Sequence, residues 1–157
     1  MEPLISIFRD NCRLHWVPGK NVSIDEMIIR FYGRSKHTSK MLNKPIKQGY
    51  KMWALCDRGY LFNFLFHSRF WKTGELEKHP LLTDTQSVVY QLALSLPPLP
   101  DGQTYTIYLD NLFTSIPLFQ ELKVKGIGAC GTTRPNSSPN FPAVLQVLKD
   151  KYGHSLP

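Results

Sequence analysis

The sequence predicts an α/β domain built on a mixed sheet. Runs of β-branched and aromatic residues come first, at Val22 to Phe31, Tyr50 to Cys56 and Tyr60 to Phe66. Segments with helical spacing then alternate with short apolar runs, the order that adds parallel strands to a sheet. Two aspartates, Asp25 and Asp110, lie in or at the end of strand-like runs. At 157 residues the chain fits one domain with a sizeable core. No run approaches the roughly 18 apolar residues that span a bilayer. Met1 to Asp10 mixes acids with an arginine, so no secretory leader is expected.

The first twenty residues mix apolar and charged types and close on Pro18-Gly19-Lys20, a turn signal. They read as an opening segment, a remnant of a preceding region, with the domain proper over 21–157. Val22 to Phe31 is the first strand, and the polar stretch from Gly33 to Gly49 is a loop. Tyr50 to Cys56 and Tyr60 to Phe66 form an antiparallel hairpin through Asp57-Arg58-Gly59. Thr83 or Asp84 caps a helix carrying Val88, Leu92 and Leu96, which Pro97-Pro98 stops. Tyr105 to Leu109 reads as a strand buried on both faces. Thr114 or Ser115 caps a helix through Lys123, with Pro117 tolerated in its first turn and Lys125-Gly126 closing it. Ile127 to Thr132 is a further strand and Phe141 to Lys151 a further amphipathic helix.

A three-strand meander followed by alternating helices and strands is the element order of a ribonuclease-H-like domain. That topology sets the first strand beside the strand after the first helix, bringing Asp25 to Asp110. Paired carboxylates suit a hard divalent cation such as magnesium, and such sites catalyse phosphoryl transfer. Taken alone, Asp25 reads as a strand acid that blunts aggregation, and Asp110-Asn111 as a turn. Glu26 falls on the opposite face from Asp25.

The charge is concentrated. The formal net charge is +7, and no acid lies between Glu26 and Asp57, while Arg30, Arg34, Lys36, Lys40, Lys44, Lys47 and Lys51 do. Those seven equal the whole excess, because 12 basic residues balance 12 acidic ones elsewhere. Such a stretch suits a phosphate backbone, or is simply a solvated loop. Pro45 fixes the backbone after Lys44, so Lys44, Lys47 and Lys51 are candidate phosphate contacts, with Arg34 and Arg134 beside them. Cys12, Cys56 and Cys130 are too widely spaced for a zinc site or disulfide framework and read as reduced thiols, the last two buried in strands. The five histidines share no metal-ligand spacing, and His67 reads as a half-buried structural residue. Gly126-Ile127-Gly128 lacks the context of a dinucleotide site.

Several motifs in order carry a resemblance: Val22-Ser-Ile-Asp-Glu26, Phe31-Tyr-Gly-Arg34, Asn43-Lys-Pro45 with Lys47, Gly49 and Lys51, then Cys56-Asp57. Leu109-Asp-Asn-Leu-Phe-Thr-Ser-Ile-Pro-Leu118 and Gly131-Thr-Thr-Arg134 with Asn136 continue the series. Together, over roughly residues 15 to 150, they resemble the catalytic domain of piggyBac-type transposases. The resemblance implies a DDD metal triad that holds Mg2+ and cuts and joins DNA in the nucleus, favouring TTAA targets. Asp25 would be its first aspartate and Asp110 its second. It implies DNA as a partner, together with a second copy of the chain or a full-length transposase, and no membrane or small-molecule cofactor.

Three departures qualify it. The family's third aspartate comes from a later helix that this sequence does not match, and Asp150 is in no corresponding motif. Only a stub corresponds to the N-terminal DNA-binding or dimerisation region, and the cysteine-rich finger has no match. Tyr32 stands where relatives often carry arginine. The expectation is a ribonuclease-H-like sheet incomplete at its C-terminus and inactive alone, with weak metal binding. The alternatives are a non-catalytic basic module that holds DNA, and a decayed fragment that folds poorly.

Overall fold

The computed structural model describes residues 2–42, 45–67 and 76–133. Lys44, Arg134 and the helix expected over Phe141 to Lys151 lie outside the described residues. The elements run α1 (Glu2–Leu14), β1 (Asn21–Arg30), β2 (Ser39–Lys40), β3 (Gln48–Asp57), β4 (Tyr60–Phe66), α2 (Asp84–Leu94), β5 (Thr106–Leu109), α3 (Ile116–Val124) and β6 (Gly128–Gly131). A short 3-10 turn at Pro100–Gly102 leads into β5.

The expected mixed sheet is present. β3 lies antiparallel between β1 and β4, so these three form the meander, while β5 and β6 add in parallel beyond β1. Two-residue β2 pairs with the start of β3, inside the stretch read from sequence as loop. The hairpin turn is tighter than expected. Asp57 pairs with Tyr60, leaving only Arg58 (φ 50°) and Gly59 (φ 83°) as the loop. Two positive φ values fit the twist of flanking strands in a type I′ connection.

Helix caps follow the sequence signals. Thr83 accepts from the Gln86 amide while the Gln86 side chain accepts from the Thr83 amide, a reciprocal capping box for α2. Ser115 caps α3 at the Leu118 amide. At its other end, the amides of Gly126 and Ile127 donate to the carbonyls of Lys123 and Leu122.

Both helices cover one face of the sheet. Val22, Ile24, Trp53, Leu55, Leu65, Ile107 and Leu109 form a core with Val88, Val89, Leu92, Phe113, Leu118 and Leu122. Trp53 meets Phe113 edge to face at 5.8 Å. Asn63 is also buried, and donates to the Ser95 hydroxyl at 2.7 Å.

The opening segment, mixed in composition, forms helix α1. α1 packs against β4, with Phe8 edge-on to Phe64 at 6.2 Å and the Arg9 guanidinium 5.3 Å from the same ring. Trp16 stacks on Tyr60 at 4.8 Å, and Asp57 accepts from the Trp16 indole and the Gly19 amide. Among the described residues no helix is long and apolar enough to cross a membrane.

Candidate metal centre

The strand pairing decides where the two aspartates go. β1 and β5 run parallel with Asn21 opposite Thr106 and Ile24 opposite Leu109. β5 ends at Leu109, so Asp110 follows the pair Ile24–Leu109 on one strand as Asp25 follows it on the other. Burial alternates to match: Val22 and Ile24 are buried while Ser23 and Asp25 are exposed, and Leu109 is buried while Tyr108 and Asp110 are exposed. Both carboxylates therefore leave the sheet on the face away from α2 and α3.

That face corrects two expectations. β5 is buried on one side only, because Tyr108 is 47% exposed. Cys56 is half-buried and Cys130 exposed, rather than both buried. The apolar runs around these residues do not reveal that α1 covers this face of the sheet at β4, where Phe8 meets Phe64, while Tyr108 and Cys130 at β5 and β6 stay exposed.

Each carboxylate has one oxygen tethered. The Glu26 amide donates to Asp25 Oδ1 at 2.7 Å, and the Thr132 hydroxyl donates to Asp110 Oδ1 at 3.1 Å. The 110–114 turn is fixed by the Phe113 and Thr114 amides and the Thr114 hydroxyl, all donating to the Asp110 carbonyl. Gly131 makes this close packing possible, since a Cβ there would lie 2.1 Å from Thr114 Oγ1. The sequence Gly131-Thr132 thus serves the second aspartate, a role that its position after a strand does not disclose.

Neither Asp25 nor Asp110 has an ion-pair partner among the described residues. Carboxylate oxygens are hard donors of the kind that magnesium takes. No group of three or more His, Cys, Asp or Glu side chains among the described residues is arranged to hold a metal.

The basic candidates separate. Arg34 and Lys47 are exposed. Lys51 instead points to the helix-covered face, where its ammonium lies 2.6 Å from Glu26 Oε1 and 4.1 Å from the centre of the Trp53 ring. Glu26 is on the face opposite Asp25, as expected, and is engaged by this lysine.

Cys56 reports on the site. Burial raises its thiol pKa, and the Asp25 carboxylate raises it further; burial also raises Cys12, and burial with Asp57 raises Tyr105. All three hold their protons more tightly in the fold than in the unfolded chain. The stability this gives is intact below the usual thiol value of about 8.5 and is lost as pH rises through the folded values. Denaturant midpoints should therefore fall on the alkaline side, and Cys56→Ser should shallow that fall. Asp25→Asn should speed iodoacetamide alkylation of Cys56 at fixed pH, because removing the negative charge favours the thiolate. An unchanged rate would separate the thiol from the carboxylate.

The fold defines a class, the mixed α/β domains in which two parallel strands extend an antiparallel meander. The comparisons with known proteins give the family. Residues 1–156 match the family described as Transposase IS4, and the chain belongs to it, as a piggyBac-type transposase-derived domain. Human piggyBac transposable element-derived protein 3 is 29% identical over 152 residues, which cover 96% of this chain and 25% of that protein. Human piggyBac transposable element-derived protein 2 is 28% identical over 153 residues, covering 90% of this chain and 24% of the relative. The chain thus spans about a quarter of the length of these relatives. A piggyBac transposase, solved by cryo-EM as a synaptic complex with hairpin DNA, superposes with a TM-score of 0.72 at 28% identity, over 99% of this chain and 30% of the other.

Proposed function

We propose that this domain is the metal-binding and DNA-handling part of a transposase, in which Asp25 and Asp110 hold Mg2+ against a DNA phosphate. The observation that supports the reading is the parallel register of β1 and β5, in which exposed Asp25 and exposed Asp110 each follow the pair Ile24–Leu109. A bound cation there supplies charge for phosphoryl transfer, the chemistry of DNA cleavage and strand transfer. The chain's own part is positional. The Glu26 amide and the Thr132 hydroxyl hold one oxygen of each carboxylate, leaving the other for the ion. The same reading makes the cell nucleus its place of action.

With two carboxylates at the site, the 157-residue polypeptide binds cation weakly and does not transfer strands alone. Titration with Mn2+, followed by electron paramagnetic resonance, tests the site. Asp25→Asn and Asp110→Asn should each weaken binding at least tenfold, since even outer-shell changes at metal sites cost 10–100-fold. Retention of wild-type affinity by the double variant would remove the metal reading. Robust Mg2+-dependent strand transfer by the 157 residues would remove the claim of inactivity.

A second reading rests on the exposed cations between Glu26 and Asp57: the domain holds DNA without chemistry. It predicts a log–log salt slope of about −0.9 for each phosphate contact on duplex DNA.

A further inference from the structure

We infer that the loop between β1 and β3 is a site for an unpaired nucleotide, with the phosphodiester held by Arg34, Lys36 and Lys40 and the base stacked on Tyr32. The inference rests on the reading that DNA is the partner, and it specifies single-stranded rather than duplex DNA at this place.

The loop borders a cleft of about 590 Å³, lined by Tyr32, Arg34, Ser35, Lys36, Thr38 and Lys40 with Gly33 and Gln48. No carboxylate lines it, and its three cations have no ion-pair partner among the described residues. Lys51, by contrast, is neutralised by Glu26 on the other face. A cluster of three unpaired cations in one cleft is a site for an anion.

The cleft is also held in shape. The Phe31 amide donates to the Gln48 carbonyl and the Met41 amide to the Lys47 carbonyl, while Ser39 and Lys40 pair with Gly49 and Gln48. Within the loop, the Thr38 hydroxyl donates to the Ser35 carbonyl and the His37 amide to the Ser35 hydroxyl. Phe31 packs on Tyr50 at 5.0 Å and folds beneath Gly33, where a Cβ would meet its ring at 2.5 Å. The chain therefore turns Phe31 inward and Tyr32 outward, and Tyr32 is 75% exposed. An exposed tyrosine beside three cations that have no ion-pair partner among the described residues has the parts of a stacking platform: a flat ring for a base and charge for the backbone. A paired base offers no open face to such a ring, so the arrangement selects unpaired nucleotides.

Fluorescence anisotropy tests this with the full 157-residue chain and three 12-nucleotide probes: a single strand, the same sequence as duplex, and an abasic strand. Tyr32→Ala should weaken single-strand binding at least fivefold, because stacking contributes about 1–3 kcal/mol per base, and should leave duplex and abasic binding unchanged. Tyr32→Trp should restore it. Replacing Arg34, Lys36 and Lys40 by glutamine should weaken all three probes and flatten the salt slope. The Tyr32→Ala loss should be the same in EDTA as in Mg2+, so loss of the metal reading and loss of this one are separable. Equal affinity of Tyr32→Ala and wild type for the single strand, or an equal loss on all three probes, would overturn the stacking site. Binding to none of the probes would overturn it together with the DNA reading.

Discussion

Replacing Ile107 by alanine is expected to cost about 2–5 kcal/mol and to take the cation site with it. Ile107 is fully buried in the four-residue strand β5, between Val22 of β1 and Ala129 of β6. Its side chain belongs to the core that α2 and α3 cover. Few residues hold β5 in the sheet, so a cavity at this one loosens the strand that ends in Asp110. Urea unfolding reads the stability, and Mn2+ titration reads the site. Tyr108→Ala is the control on the other face: Tyr108 is 47% exposed, so its loss should cost no more than about 1 kcal/mol, the span of strand propensity. Equal costs at the two positions would refute the assignment of faces, and with it the shared face of Asp25 and Asp110.

Much of this arrangement was legible because local signals agreed. Thr83 and Ser115 lie where cap chemistry puts them, Pro97-Pro98 follows α2, and the hairpin strands pair as their composition suggests. The parallel pairing of β1 with β5 followed from element order, because a strand added after a helix joins the sheet in parallel beside the first strand. Each failure has a physical reason. The mixed composition of α1 hides a helix, although Leu4, Ile5, Phe8 and Cys12 recur at helical spacing. Its Arg9 is accommodated by the face of Phe64, a contact that composition does not disclose. Tyr105 to Leu109 looked buried on both faces because an apolar run carries no mark of which side a helix covers.

The basic residues show a different limit. Charge counting treats Arg34, Lys47 and Lys51 alike, yet the antiparallel register with β1 carries Lys51 beside Glu26 on the helix-covered face. A strand lysine's availability depends on its cross-strand neighbours, which composition does not contain. Thr132 was missed for a related reason. Its hydrogen bond to Asp110 spans 22 positions and exists only because Gly131 lets the 110–114 turn approach β6.

Asp57→Ala is expected to release α1 from the sheet at a cost of about 2–4 kcal/mol. The Asp57 side chain is only 3% exposed, and its Oδ2 accepts from the Trp16 indole at 3.0 Å and from the Gly19 amide at 2.9 Å. Both donors lie on the segment joining α1 to β1, so one carboxylate at the hairpin turn fastens that connection. Removing it leaves two partly covered N–H groups without their charged acceptor. The Arg58 guanidinium, 3.9 Å from Oδ1 but 79% exposed, adds little. Trp16 also stacks on Tyr60, whose hydroxyl donates to the Cys12 carbonyl at 2.9 Å, so the loss should spread into the last turn of α1. Hydrogen exchange is the discriminating measurement. Amides of α1 should lose protection first in Asp57→Ala, while those of β1 and β5 stay protected until global unfolding. Asp57→Asn should fall between the two, because its amide oxygen still accepts but carries no charge. If exchange instead accelerates uniformly across the sheet, Asp57 supports the hairpin itself rather than the attachment of α1.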